Sequence, residues 1–477
     1  MTTAFQLVPT FPNVDIAPVA APAFAQTAAP FINRDLSLIE FFRRVLEEAQ
    51  DQSQPILERV KFLAILASNL DEFFMIRVSG LMEKLGARAE VAPDGYTRPD
   101  LLAEIKIRVS SLLDEQMACL RDDLLPTLAD SGIELVRYSK LSADERSRLD
   151  EYFLHNVYPT LTPQAVDPTH PFPYISGGSI NLALVVNPQL NKRVARAMQN
   201  FSDEFFVRVK IPQFIERFVP VPGRDSKWVL IEEIVAANVK LFAPEADPRS
   251  VYQFRITRDA DVDLREAEAD DLLQMMEENL KQRRFGDVVR LEVSHGMPES
   301  MVEYLTSSLQ ITPNEVYRVD GPMNLTDAFQ LAELNRPDLK ENPLKIVTPA
   351  VFETAESMFD IIRRDDVLLH HPYVPYSIIT DFIRQAAADP DVLAIKMCLY
   401  RIGADSPIAP LLIEASEAGK QVTALIEIKA RFDEANNIEW GKRLEQAGVH
   451  VVYGLLGLKT HAKTTLVVRR EAGKLRR

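Results

Sequence analysis

The chain has 477 residues, 47% hydrophobic and 26% charged, which is room for about three domains and excludes a disordered, collagen-like or disulfide-scaffold protein. Its two cysteines, Cys119 and Cys398, lie far apart, so neither a disulfide framework nor a cysteine zinc site is available and the usage fits a reducing cytosol; no apolar stretch approaches the ~18 residues of a membrane span. The net charge of −15 argues against a nucleic-acid-coating protein, but residues 346–477 carry 17 Lys and Arg against 17 Asp and Glu, and residues 457–477 carry seven basic residues against Glu471 alone.

Residues 1–30 are rich in Ala and Pro, lack the basic residues of a signal or transit peptide and read as a mobile tail. Residues 31–132 read as a helical N-terminal domain. Arg43/Glu47 and Arg44/Glu48 are spaced as i,i+4 pairs. A second helix opens near Ser53 with Pro55 in its first turn and runs through Leu63, Leu66 and Leu70 to Phe73 and Phe74, and a third spans about Leu101–Leu128. Residues 133–345 mix periods and read as an α+β middle domain. Its expected strands are Ile180–Val186, Trp228–Ile231 and Val251–Ile256, and its expected helices are Leu264–Arg284 and Pro298–Gln310. The five prolines of Pro159–Gly178 predict loop rather than regular structure there.

From 346 onward strands alternate with helices. Val392–Arg401, Val422–Ile428, Val449–Tyr453 and Thr460–Val468 read as strands, and Pro407–Ala418 and Asn436–Ala447 as helices. The alternation predicts βαβ units and a largely parallel sheet. Arg401, Arg431 and His461 then fall at intervals of 30, the length of one βαβ unit. The spacing predicts that two guanidiniums and an imidazole converge at the carboxyl edge, where such sheets bind ligands. Gly403 allows a turn, Ser406 reads as an N-cap and Pro407 as a first helical residue. His461 and Lys463, two apart on a strand, would face one way. Arginine forks fit phosphate oxygens, and a neutral imidazole beside a lysine can attack phosphorus. The same residues, taken singly, also fit surface arginines and a structural histidine.

Leu393-Ala394-Ile395-Lys396 with Leu399-Tyr400-Arg401, Ala430-Arg431-Phe432-Asp433-Glu434 and His461-Ala462-Lys463 closely resemble polyphosphate kinase. Phe31-Ile32-Asn33-Arg34-Asp35, Ser68-Asn69-Leu70-Asp71-Glu72-Phe73 and Val166–Pro173, around His170, are similar to signatures of the same family further upstream. The resemblance implies a multidomain α and α/β protein whose catalytic domain, residues 346–477, is phospholipase D-like. It implies that this domain is cut short and that a second catalytic domain is absent. It further implies that His461 is the phosphohistidine nucleophile and Lys463 a supporting cation. Asn69 would contact the nucleotide base. Arg401 and Arg431 belong to the magnesium–phosphate part of the site; because guanidinium has no lone pair to give, they belong on phosphate oxygens beside Mg²⁺. Leu38 and Phe42 depart from the family's usual residues as packing changes.

The resemblance implies reversible transfer of the ATP γ-phosphate to inorganic polyphosphate. It carries with it ATP and ADP as ligands, a cytoplasmic homo-oligomer with room for peripheral membrane association, and no nucleic-acid partner. Two alternatives differ in class. A phospholipase D-type phosphodiesterase wants Asp where this chain has Val468 and a second HxK that it lacks. A non-catalytic module that binds nucleotide or polyanion is the other.

Overall fold

The structure, a computed structural model, describes residues 31–83, 92–166, 171–186, 205–224, 226–244, 246–260, 272–353, 356–454 and 458–477. The Ala/Pro-rich tail, the first part of the helix expected over Leu264–Arg284, and much of the His170 signature lie outside them.

Three long helices open the described chain: α1 (Arg34–Gln50), α2 (Ile56–Glu72) and α3 (Arg98–Ala118). Asn33 caps α1 by accepting the N–H groups of Asp35 and Leu36, satisfying donors that have no partner in the first turn. Pro55 stands immediately before α2, one place outside the position expected for it. Leu36, Ile39, Phe42 and Leu46 of α1 pack on Leu57, Leu63, Leu66 and Leu70 of α2. The expected i,i+4 pairs give way to other partners. Arg43 reaches Glu115 on α3 at 2.5 Å, and Arg44 lies 3.7 Å from Glu47. A tertiary partner and a nearer i,i+3 carboxylate win over helix spacing.

The middle of the chain is built on two sheets. The smaller has the order β1 (Glu134–Leu135), β6 (Lys227–Leu230), β5 (Phe218–Pro220). The larger runs β2 (Gln164–Val166), β4 (Phe205–Lys210), β3 (Ile180–Val186), β7 (Tyr252–Arg258), β8 (Val288–Ser294), β9 (Val316–Val319). The three strands expected here form, two of them shifted by a residue or so. The proline-rich segment is not all loop, because β2 pairs antiparallel with β4. It begins just after Pro163, which lies outside the strand and need not donate to the ladder. Helices α4 (Ala143–Tyr152), α5 (Ile231–Ala237), α6 (Leu272–Gln282) and α7 (Glu299–Leu309) complete this part. In packing terms α6 belongs elsewhere: Met276 is 2% exposed within the core of the third sheet, with Leu272, Leu273 and Leu280 against it.

That third sheet has the order β12 (His450–Val452), β11 (Gln421–Ile426), β10 (Val392–Leu399), β13 (Thr465–Glu471), β14 (Lys474–Arg476). Helices α8 (Ser377–Ala388), α9 (Ile408–Glu417) and α10 (Glu434–Gln446) pack on it, with Ile395, Leu412, Ala424, Ile426 and Leu444 fully buried. Strands β10, β11 and β12 pair parallel, as the βαβ spacing requires, whereas β13 pairs antiparallel with β10 and β14 antiparallel with β13. The expectation of a largely parallel sheet therefore holds for the pairings among β10, β11 and β12 and fails for the two pairings that β13 makes. Among the described residues between β12 and β13 there is no helix, and a parallel return needs a crossover. Among the described residues no helix is long and apolar enough to cross a membrane.

Candidate active site

Parallel β10 and β11 end at the same edge of the third sheet and release Tyr400–Arg401 and Glu427–Arg431 there. Gly403, at φ 69°, turns the first segment away toward α9. Pro407, rather than Ser406, directly precedes that helix, while the Ser406 hydroxyl accepts the Ile408 N–H at 3.3 Å. Because β13 is antiparallel to β10 with Thr465 opposite Met397, the residues before Thr465 reach this edge as well. His461 and Lys463 belong to that approach and not to a strand, which corrects the expectation that strand alternation turns them to one side.

Tyr400 brings them together instead. Its ring meets the His461 imidazole edge-on at 5.3 Å, and the Lys463 ammonium lies over it, 4.1 Å from the ring centre. Lys463 also donates to the His461 carbonyl. Arg401 donates from Nη2 to the Arg431 carbonyl at 3.3 Å, and its Nε lies 2.8 Å from Asp433 Oδ2. Arg401, His461 and Lys463 are exposed and Arg431 half-buried. Three cationic side chains and an imidazole thus share one edge.

Asn69 sits in the last turn of α2. The Phe73 N–H there is shared between the carbonyls of Asn69 and Leu70, and the helix widens into a π-helical stretch, Phe73–Val78. Such widenings recur at functional sites. Asn69 and Arg431 line one cavity of about 280 Å³ together with Leu38, Phe42, Glu72 and Arg77. Leu38 and Phe42, expected to be packing changes only, are walls of this cavity. Two residues beyond Asn69, Asp71 accepts from Arg255 Nη1 at 2.9 Å and also contacts Arg290, and Arg255 in turn lies 2.6 Å from Glu292. This largely buried cluster fastens the end of α2 to β7 and β8.

Three supporting residues were assigned no role from the sequence, although Asn437 lies in a stretch that resembles the family. Asn437 on α10 donates to the carbonyls of Tyr400 (2.7 Å) and Glu427 (2.9 Å) and accepts from the Ile402 N–H (3.3 Å). It thereby ties the exit of β10 to the exit of β11. Trp440 Nε1 donates to the Gly403 carbonyl at 2.9 Å. The buried Glu427 carboxylate accepts the N–H groups of Lys429 (2.9 Å) and Thr460 (2.6 Å). Asn437 and Glu427 are both fully buried and both hydrogen-bonded, as buried polar side chains are expected to be.

Among the described residues no group of three or more His, Cys, Asp or Glu side chains is gathered as a metal cage. The carboxylates at this edge are engaged: Asp433 by Arg401, Glu427 by backbone N–H groups, and Glu434 by Arg283. That donor set fits an ion carried on substrate phosphates, the usual habit of Mg²⁺.

The chain matches the family models described as the polyphosphate kinase N-terminal domain over residues 31–136, middle domain over 144–331 and C-terminal domain 1 over 357–477. A polyphosphate kinase of Mycolicibacterium gilvum is 47% identical over 94% of this chain and 61% of that protein. One of Mycobacterium marinum is 45% identical over 97% of this chain and 64% of that protein. The crystal structure of polyphosphate kinase from Porphyromonas gingivalis superposes with a TM-score of 0.77 at 28% identity, covering 94% of this chain and 63% of that one. The chain therefore spans somewhat over three fifths of the relatives it matches.

Proposed function

The chain belongs to the polyphosphate kinase family, and from that premise we propose that its third sheet takes the γ-phosphate of ATP onto His461 and passes it to inorganic polyphosphate. The observation that carries this reading is that one sheet edge holds His461 and Lys463 against the Tyr400 ring and Arg401 against the Arg431 carbonyl. The neutral His461 imidazole attacks the γ-phosphorus in line, an N–P bond forms, and the bond to the β-phosphate oxygen breaks as ADP leaves. A terminal oxygen of polyphosphate then attacks the phosphohistidine, the N–P bond breaks, and the polymer gains one phosphate. Arg401, Arg431 and Lys463 hold the equatorial oxygens, which is most of what phosphoryl transfer asks of a protein. Asn69 holds the base in the cavity it shares with Arg431. Mg²⁺ bound with the nucleotide would supply charge neutralisation on the phosphates, and Arg401 and Arg431 would hold phosphate oxygens alongside that charge. A phosphoramidate keeps high transfer potential, so the reaction runs backwards with excess ADP.

Incubation of the chain with γ-labelled ATP should leave an acid-labile, base-stable label that Arg401→Ala weakens and His461→Ala abolishes. Equal labelling of wild type and His461→Ala would sink the assignment. The chain covers only part of its relatives' length, so the second reading is nucleotide binding without turnover. It predicts ATP affinity that Asn69→Ala reduces, with no label on any histidine. The proposal includes a cytoplasmic homo-oligomer with room for peripheral membrane association, as the family resemblance implies.

A further inference from the structure

The sheet itself leaves the proposed nucleophile loosely placed. Arg431 follows β11 and His461 precedes β13, and those two strands are not neighbours, since β10 lies between them. No ladder bond sets one segment against the other. Glu427 supplies the missing connection.

It is 0% exposed and spends every polar group on this edge. Its N–H donates to the Leu399 carbonyl at 2.9 Å, extending the pairing of β11 with β10 by one residue. Its carbonyl accepts from Asn437 Nδ2 at 2.9 Å and from the Ala430 N–H at 3.3 Å. One carboxylate oxygen takes the Lys429 N–H on the way to Arg431, and the other takes the Thr460 N–H at 2.6 Å, one residue before His461. Lys429 Nζ adds a parallel tie to the Leu458 carbonyl at 2.7 Å. A carboxylate is acceptor-only at both oxygens, so it can serve two N–H groups at once; a glutamine amide has one oxygen and would turn its NH₂ against the second donor. Bonds from N–H to an ionised acceptor are short and strong.

We infer that Glu427 is a positioning residue that fixes His461 against Arg431 by joining the Lys429 turn to the Thr460 amide. It touches neither nucleotide nor the reacting phosphorus. The inference rests on the phosphohistidine reading for its catalytic consequence but not for its structural content, and two measurements separate the two. In single-turnover labelling with γ-labelled ATP, Glu427→Gln should slow label transfer to His461 roughly 10- to 100-fold, the scale expected for losing a charged buried hydrogen bond and the alignment it maintains. ATP affinity, read by equilibrium binding, should stay within about twofold, and Glu427→Asp, which retains two acceptor oxygens, should recover part of the rate.

Hydrogen exchange supplies the measurement that needs no activity. The Thr460 amide should lose protection in Glu427→Gln while β13 keeps it. Should Glu427→Gln fail to fold, Thr460→Pro removes the same bond from the other side by deleting its N–H, and the slow transfer should persist. Undiminished Thr460 protection, or transfer within twofold of wild type, overturns the inference. A wild-type chain that never labels overturns the functional reading instead, leaving the exchange result to decide the joint.

Discussion

At the residue scale the least expected feature is Phe432. It lies between Arg431 and Asp433, has φ 66°, and is 48% exposed. The turn is closed by the Asp433 N–H bonding the Ala430 carbonyl at 3.0 Å. Its third position is one that glycine ordinarily fills, because a Cβ there costs roughly 1–2 kcal/mol. Burial offsets little of this for a ring that is half in water. Strain kept without a return in stability is characteristic of functional segments. Phe432→Gly should therefore leave unfolding free energy unchanged or raised by about 1 kcal/mol, since lost ring contacts and added chain entropy offset relief of strain. Label transfer to His461 should fall at least tenfold. Denaturant melts and labelling rates on the same preparations check both halves, and a stable variant of full activity would show the ring to be dispensable. The roles of Phe432, Glu427 and Tyr400 were not legible in the sequence, even where the residue stood in a family motif, because they lie in backbone angle, burial and ring contact. Arg401, Arg431 and His461 were legible because their chemistry is unusual at a strand end and their spacing repeats.

Elements were legible where one physical signal dominated. β10 and β11 are continuous apolar runs bounded by turns, and the helical face of α2 recurs at three and four residues. The antiparallel direction of β13 was not legible, since the run Thr460–Val468 says nothing of its partner. The π-helical stretch after α2 and the ion cluster at Asp71 were invisible for the same reason: each is set by contacts over a long sequence separation. That cluster carries a prediction. Burial alone would raise the Asp71 carboxyl, but the charges of Arg255 and Arg290 overcome it and hold it below the ordinary carboxylate range. A depressed folded value means that its stabilisation is complete above about pH 4 and is lost as pH falls through the folded value. Asp71→Asn leaves two buried guanidiniums with Glu292 alone and should cost about 3–5 kcal/mol at neutral pH. It should also flatten the acid limb of a stability–pH curve. Urea melts of both chains between pH 3 and 7 test this, and parallel curves would assign the acid limb to other carboxylates.

For the whole molecule, the question is what holds the third sheet to the rest. The sequence divides the chain near residue 345, yet α6, well before that point, is packed into the third core through Met276. Lys442 pairs with Glu277 and Arg283 with Glu434 around the same contact. Glu434 begins α10, the helix whose Asn437 ties the exits of β10 and β11 together, so the docking of α6 bears directly on the geometry of the site. A chain divided by composition alone would cut this helix from the core it completes. The apolar contact outweighs the Lys442–Glu277 pair in energy: one buried methionine truncated to alanine costs about 2–5 kcal/mol, whereas a partly exposed ion pair such as this gives about 1 kcal/mol or less. The two tryptophans allow the test, because Trp440 is buried in the third core and Trp228 against the helical N-terminal core. In a Trp228→Phe background, Met276→Ala should shift the Trp440 fluorescence transition to lower urea, while Lys442→Ala shifts it little. The same Met276→Ala in a Trp440→Phe background should leave the Trp228 transition close to wild type. If both tryptophans moved together by the full amount, the third sheet and the rest of the chain would unfold as one cooperative unit, and α6 would be a part of that unit rather than a separable clasp.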